Sequence, residues 1–129
     1  MKGNTSFAPQ LYIKSGVRDI GFYEKAFGAV ELSRWSNDDG SIHVAELSID
    51  GAIFHLHEDT HKSGLFDPGK HDGTTVIIGL FVSDVDAFMK RAKDAGALEI
   101  SPAQDYDYGY RQGMIKDPFG HHWLIEMKI

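Results

Sequence analysis

Cysteine is absent from this 129-residue chain. That excludes a disulfide framework, a thiolate nucleophile and any Cys-based metal site. No apolar run approaches the roughly 20 residues that a membrane-spanning helix needs. The opening segment, Met1-Lys2-Gly3-Asn4-Thr5-Ser6, has no apolar signal core. A cytoplasmic location is therefore expected, with no membrane partner. Clusters of Lys and Arg are missing too: 13 basic residues face 19 acidic ones, for a formal net charge of −6. That argues against nucleic acid as a partner and favours a neutral or cationic small molecule. Gly-rich phosphate loops, nucleophile elbows and Ser/His/Asp arrangements are not visible. What remains is ordinary globular composition, 42% apolar and 25% charged, in a length that suits one domain.

The chain repeats itself. Tyr12 to Leu32 (YIKSGVRDIGFYEKAFGAVEL) aligns without a gap on Leu80 to Ile100 (LFVSDVDAFMKRAKDAGALEI) at an offset of 68. Ser15/Ser83, Val17/Val85, Lys25/Lys93, Gly28/Gly96, Ala29/Ala97 and Glu31/Glu99 are identical. Each copy opens on a short β-prone run, Leu11-Tyr12-Ile13 or Leu80-Phe81-Val82, after which Ser15 or Ser83 suits a helix cap or turn. A helical apolar stripe follows: Val17, Ile20, Phe22-Tyr23 and Phe27 in one copy, Val85, Phe88-Met89, Ala92 and Ala95 in the other. Gly28 and Gly96 sit where a left-handed helix end is needed.

Three strands follow each helix, at about 30–35, 41–49 and 52–58, then about 98–103, 109–116 and 121–127. Asp50-Gly51 between two of them is a hairpin signal, and Asp117-Pro118-Phe119-Gly120 turns the last pair. The pattern is βαβββ twice, with modules at about 8–58 and 75–129 of a single domain 1–129 and a linker loop at about 59–74. Side chains alternate along strands, so parity separates the faces. Leu11 and Ile13, Phe54 and Leu56, and Trp123 and Ile125 belong under the helices. Gln10, Tyr12 and Lys14, then Ile53, His55 and His57, then His122, Leu124 and Glu126 share the other, mixed face. Such a face is solvated on a lone antiparallel sheet; if the two halves close into one curved sheet, it lines a cleft.

The tandem βαβββ plan, the segment FYxKxFGA (Phe22 to Ala29), the helix start DVDAF (Asp84 to Phe88) and the closing DPFGHHWLIE (Asp117 to Glu126) resemble the glyoxalase / bleomycin-resistance / extradiol dioxygenase (vicinal oxygen chelate) superfamily, most of all its PhnB-like branch. The resemblance runs from about Pro9 to Met127. It implies an α+β fold of two tandem βαβββ modules, with mostly antiparallel curved sheets forming a cleft and helices on the outer face. It says more about fold than about reaction.

In metal-dependent members of that superfamily four ligands come from four strands. Carried over by motif, those positions fall on Gln10, His55, Ile78 and Leu124. Ile78 and Leu124 offer no lone pair, and two neutral ligands fall short of a catalytic metal site. The expected cofactor is therefore none. The expected function is binding of a small molecule in the cleft, as in bleomycin-resistance proteins, which are dimers with acidic, aromatic-lined clefts; a homodimer is expected here too. The alternative is a metal-dependent, lactoylglutathione-lyase-like lyase or isomerase holding Zn, Ni, Mn or Fe on a displaced set, with His55, His57 and Glu126 as its candidates. No catalytic residue is assigned. The candidate cleft residues are Gln10, Tyr12, His55, His57, Tyr108, Tyr110, Arg111, His122 and Leu124. The stretch Gln104 to Arg111, with three tyrosines and two aspartates, suits stacking on a planar ligand, with Arg111 meeting a carboxylate.

Overall fold

The structure, a computed structural model, describes residues 4–62 and 64–129. The first module holds β1 (Gln10–Ile13), α1 (Phe22–Phe27), β2 (Val30–Ser36), β3 (Ile42–Ile49) and β4 (Ala52–Glu58). A linker with one short 3-10 turn at Pro68–Lys70 leads to the second. There β5 (Ile77–Phe81), α2 (Val85–Asp94), β6 (Leu98–Tyr106), β7 (Tyr110–Lys116) and β8 (His122–Lys128) repeat the plan. The sheets have equivalent orders, β1-β4-β3-β2 and β5-β8-β7-β6. In each, the first strand runs parallel to the last and the other pairs are antiparallel. The fold is α+β with two βαβββ modules, as the repeat predicts. Among the described residues no helix is long and apolar enough to cross a membrane.

Local chemistry accounts for the turns. Asp50 and Gly51 both take positive φ, 50° and 89°, as a two-residue type I′ hairpin requires. Gly28 ends α1 in the left-handed region at φ 68°. The helix starts differ from the pattern. Asp84, not Ser83, caps α2, its side chain accepting from the Ala87 N–H. Ser15 caps nothing: its hydroxyl donates to Glu58 at 3.2 Å. The Ile42 N–H takes the Val17 carbonyl at 2.8 Å, which ties that stretch to the start of β3 and leaves α1 only six residues.

The predicted core residues Leu11, Ile13, Phe54, Leu56, Trp123 and Ile125 are all buried. Tyr23 of α1 packs on Phe54 of one sheet and, together with Phe27, on Trp123 of the other, with ring centroids 4.8–6.1 Å apart. Phe27 stacks on Phe88 of α2 at 5.4 Å, and Arg91 Nε donates to the Lys25 carbonyl at 2.7 Å. The helix-bearing faces of the two sheets thus converge on one shared core. The alternate faces, here called the open faces, carry no helix.

Asp117 stitches the modules. Its buried carboxylate accepts from the Tyr23 hydroxyl at 2.6 Å, Trp123 Nε1 at 3.0 Å and the N–H groups of Phe119 and His121. Burial first, then the charge of Asp117, pushes the Tyr23 hydroxyl well above its ordinary pKa, so it stays a donor. His121, with the core-facing parity, is buried and donates Nε2–H to the Tyr12 carbonyl at 2.7 Å. Much of the DPFGHHW segment therefore serves the fold.

Candidate functional site

The open face of the first sheet holds Gln10 and Tyr12 on β1, His55 and His57 on β4 and Glu46 on β3. Register places Gln10 beside His55 and Glu46 on His55's other side. His57 Nε2–H donates to Gln10 Oε1 at 2.5 Å, which leaves Nδ1 as the free lone pair. Its ring stacks on Tyr12 at 5.4 Å and lies 6.1 Å from that of His55. Burial, then the neighbouring His55 and His43, lowers the His57 pKa. His55 Nε2 lies 3.3 Å from Glu46 Oε2. Glu46, the charge that interrupts an apolar strand, is thus a partner of His55. A hollow of about 890 Å³ opens beside β1 and is bounded by Gln10, Tyr12 and linker residues Leu65, Phe66, Pro68 and His71.

The second sheet differs at every equivalent position. β5 and β8 pair Gly79 with Leu124, and β7 sets Met114 beside Leu124. The pair Gln10–His55 therefore corresponds to Gly79–Leu124, an offset of 69 where the helices repeat at 68. This corrects the motif-based placement on Ile78. Ile78 pairs with Trp123 and packs against the core; a slip of one residue turns a side chain to the other face. The turn glycines Gly51 and Gly120, also 69 apart, carried that signal.

Gly79 has no side chain, and the space is taken: a β-carbon there would lie 2.7 Å from Glu126 Oε2. Glu126 is only 7% exposed. Gln112 Nε2 donates to its Oε1 at 2.8 Å, and the Tyr108 hydroxyl donates to Gln112 Oε1. Tyr106 stacks on Tyr108 at 5.3 Å, Tyr110 lies 6.0 Å from Tyr108, and Phe81 meets Tyr110 edge-on at 6.2 Å. This open face is an aromatic wall around one carboxylate, over a floor of Gly79, Leu124 and Met114. Tyr106 lies in the tyrosine-rich stretch that the sequence singled out, whereas Phe81, Gln112 and Met114 escape a reading of the sequence because only the β7–β8 and β5–β8 register brings them together.

Arg111 does not join them. Next to Tyr110 in sequence, it points to the helix side, where Asp86 of α2 holds its guanidinium at 2.8 and 3.1 Å and Asp105 at 2.9 Å. Those two carboxylates raise its pKa further and hold its charge on the helix side of the sheet. This corrects the expectation that Arg111 meets a ligand carboxylate. His122 is on the open face, paired with Ile77 and Lys116; burial first, then the Lys116 charge, lowers its pKa.

The donor set does not fit the four-ligand metal centre. Two of the four positions are Gly79 and Leu124. Among the described residues no three His, Asp or Glu side chains are grouped so as to hold a metal ion. His55 and His57 are engaged by Glu46 and Gln10 on one sheet, and Glu126 by Gln112 on the other.

The sequence profile of the Glyoxalase/Bleomycin resistance protein/Dioxygenase superfamily matches residues 11–125. The chain belongs to that superfamily. An uncharacterized protein of Mycobacterium tuberculosis is 40% identical over 127 residues, covering 96% of this chain and 75% of that protein. The crystal structure of TioX from Micromonospora sp. ML1 is 27% identical, covers 97% of each chain and superposes with a TM-score of 0.71. The X-ray structure of an Arabidopsis thaliana gene product is 28% identical, covers 95% of this chain and 98% of that one, and has a TM-score of 0.73. This superfamily member thus keeps the fold while lacking donors at half of the four metal positions.

Proposed function

We propose that this superfamily member binds a small organic molecule on the open faces of its sheets, without a metal on the four strand positions, and that two copies complete the site. The observation that carries the reading is the Gly79–Glu126 arrangement. Where a ligand side chain would project from β5 there is none, and a buried carboxylate fills its place. One carboxylate within a wall of Phe81, Tyr106, Tyr108 and Tyr110 suits a planar ligand bearing a cation or an N–H donor.

The second copy follows from how the modules meet. Their helix-bearing faces share a core, so the two open faces do not enclose a cleft with each other. Each leaves apolar side chains uncovered, Phe81 61% and Trp35 55% exposed among them. Pairing the first open face of one copy with the second open face of another would cover this surface and set Gln10, His55 and His57 opposite Glu126.

Elemental analysis of protein purified without chelator, with light scattering and a thermal-shift screen of cationic aromatic compounds, tests the reading. Expected are no stoichiometric divalent metal, a dimer, and ligands whose stabilisation is lost in Glu126→Gln. About one Zn, Ni, Mn or Fe per chain, with chelator-sensitive turnover of a hemithioacetal that disappears in His55→Ala, would establish the lyase or isomerase alternative instead.

A further inference from the structure

The carboxylate of Glu126, 7% exposed, has two unlike oxygens. Oε1 accepts from Gln112 Nε2 at 2.8 Å. Oε2 takes no hydrogen bond from the described residues, and no Lys, Arg or His among them pairs with Glu126. Among the same residues no side-chain oxygen or nitrogen is sealed from solvent without a partner, so Oε2 keeps a solvent-facing side. It lies over Gly79, which is exposed and sets no side chain in the way.

Tyr108 decides which oxygen is left free. A glutamine can turn either end of its amide to a carboxylate. Here Gln112 Oε1 accepts the single proton of the Tyr108 hydroxyl, so the NH2 end remains for Glu126. Partial desolvation first, then Tyr106 and the charges of Glu126 and Asp107, raise the pKa of that hydroxyl, so it keeps its proton. The Tyr108 ring is itself flanked by Tyr106 at 5.3 Å and Tyr110 at 6.0 Å. The relay from Tyr108 through Gln112 thus occupies one side of the carboxylate and leaves the other open beside the aromatic wall.

We propose that this relay selects, on the second open face, an aromatic cation with one N–H, a protonated tertiary amine, over a flat amidinium or guanidinium. The inference rests on the open-face reading above and narrows its ligand class. An amidinium meets a carboxylate through two parallel N–H···O bonds. With Oε1 taken by Gln112 only one of these forms, and the second N–H leaves water without an acceptor. A tertiary ammonium has one N–H for one free oxygen, and its substituents lie against the rings of the wall. A quaternary ammonium keeps the ring contact and loses the hydrogen bond. Gln112 acts here as a positioning residue, through the side of Glu126 that it covers.

Three probes that share one ring system test it by calorimetry on the full chain near neutral pH: naphthylmethyl-dimethylamine, its trimethylammonium analogue and naphthamidine. The dimethylamine should bind the natural chain about tenfold tighter than either of the others. Gln112→Ala uncovers Oε1, so naphthamidine should gain about tenfold while the dimethylamine changes by less than about threefold. The readout is the ratio of the two affinities on the same protein, which a general loosening of the fold would not move because it weakens both alike. The order on the natural chain needs no variant and stands as a test by itself. Naphthamidine or the trimethylammonium probe binding the natural chain as tightly as the dimethylamine, or an unmoved ratio in Gln112→Ala, would overturn the proposal and leave open-face binding standing. If no probe binds saturably, or if binding is indifferent to Glu126→Gln, the open-face reading falls and this inference with it.

Discussion

The carboxylate of Glu126 stands over Gly79, with Oε2 2.7 Å from where a β-carbon of residue 79 would be. Two strands of one sheet have thus exchanged a side chain for a vacancy. Gly79→Ala should force Glu126 out of its place and cost about 1–3 kcal/mol in urea unfolding. In a Glu126→Ala background the same substitution should cost much less. A double-mutant cycle measures the coupling, and strict additivity would mean that the close approach has no energetic consequence.

The Tyr23–Asp117 hydrogen bond ties α1 to the β7–β8 turn inside the core. Tyr23→Phe should destabilise the chain by about 1–3 kcal/mol, because a buried carboxylate loses one of its donors. Trp123→Ala, which empties the centre of the aromatic cluster, should cost more, about 3–5 kcal/mol. Equilibrium denaturation orders the two; a smaller loss for Trp123→Ala would contradict the shared core.

His57 and His122 both have pKa values lowered by burial. In the unfolded chain each imidazole titrates near 6.5, above its folded value, so the unfolded state binds more protons in between. Their contribution to stability is complete above about pH 6.5 and is lost as pH falls toward the folded values. Asp59 repeats the direction at lower pH. Burial alone would raise its carboxyl, but the N–H groups of His61 and Asp67, aided by Lys70, outweigh it and hold the pKa at about 2. Stability should therefore drop again as pH falls from about 4 toward 2. Melting temperatures from pH 8 to 5 should fall less steeply for His57→Gln than for the natural chain; parallel slopes would refute the assignment.

Arg111 braces α2 from the side opposite the aromatic wall. Arg111→Ala should speed amide exchange in the first turns of α2, where Asp86 loses its partner, and leave open-face ligand binding unchanged. Weaker ligand binding with unchanged exchange would place Arg111 in the site after all.

Most of the fold is written in local pattern. The two βαβββ modules, the Asp50-Gly51 hairpin and the left-handed end at Gly28 each follow from a few neighbouring residues whose chemistry admits little else. Alternation along strands assigned Leu11, Phe54, Leu56, Trp123 and Ile125 to the core, and Gln10, His55 and His57 to the opposite face, because side-chain parity in a strand is a local property. Of the two roles local chemistry allows Ser15, cap or turn, the structure takes the turn, because the Val17 carbonyl is claimed by Ile42, a residue far away in sequence.

The sequence by itself determined the number of modules, the turns between their strands and the face on which His55 and His57 stand. Tertiary structure alone decided what stands opposite them. The strand register runs one residue out of step with the helix repeat, so Gly79 rather than Ile78 takes the position equivalent to Gln10. Glu126 is buried because Gly79 leaves it room, and Arg111 is lost to the open face because Asp86 on a separate helix captures it. Hydrogen-bond register and ion pairing join residues that sequence spacing keeps apart, which is why the core could be read along the chain and the chemistry of the second open face could not.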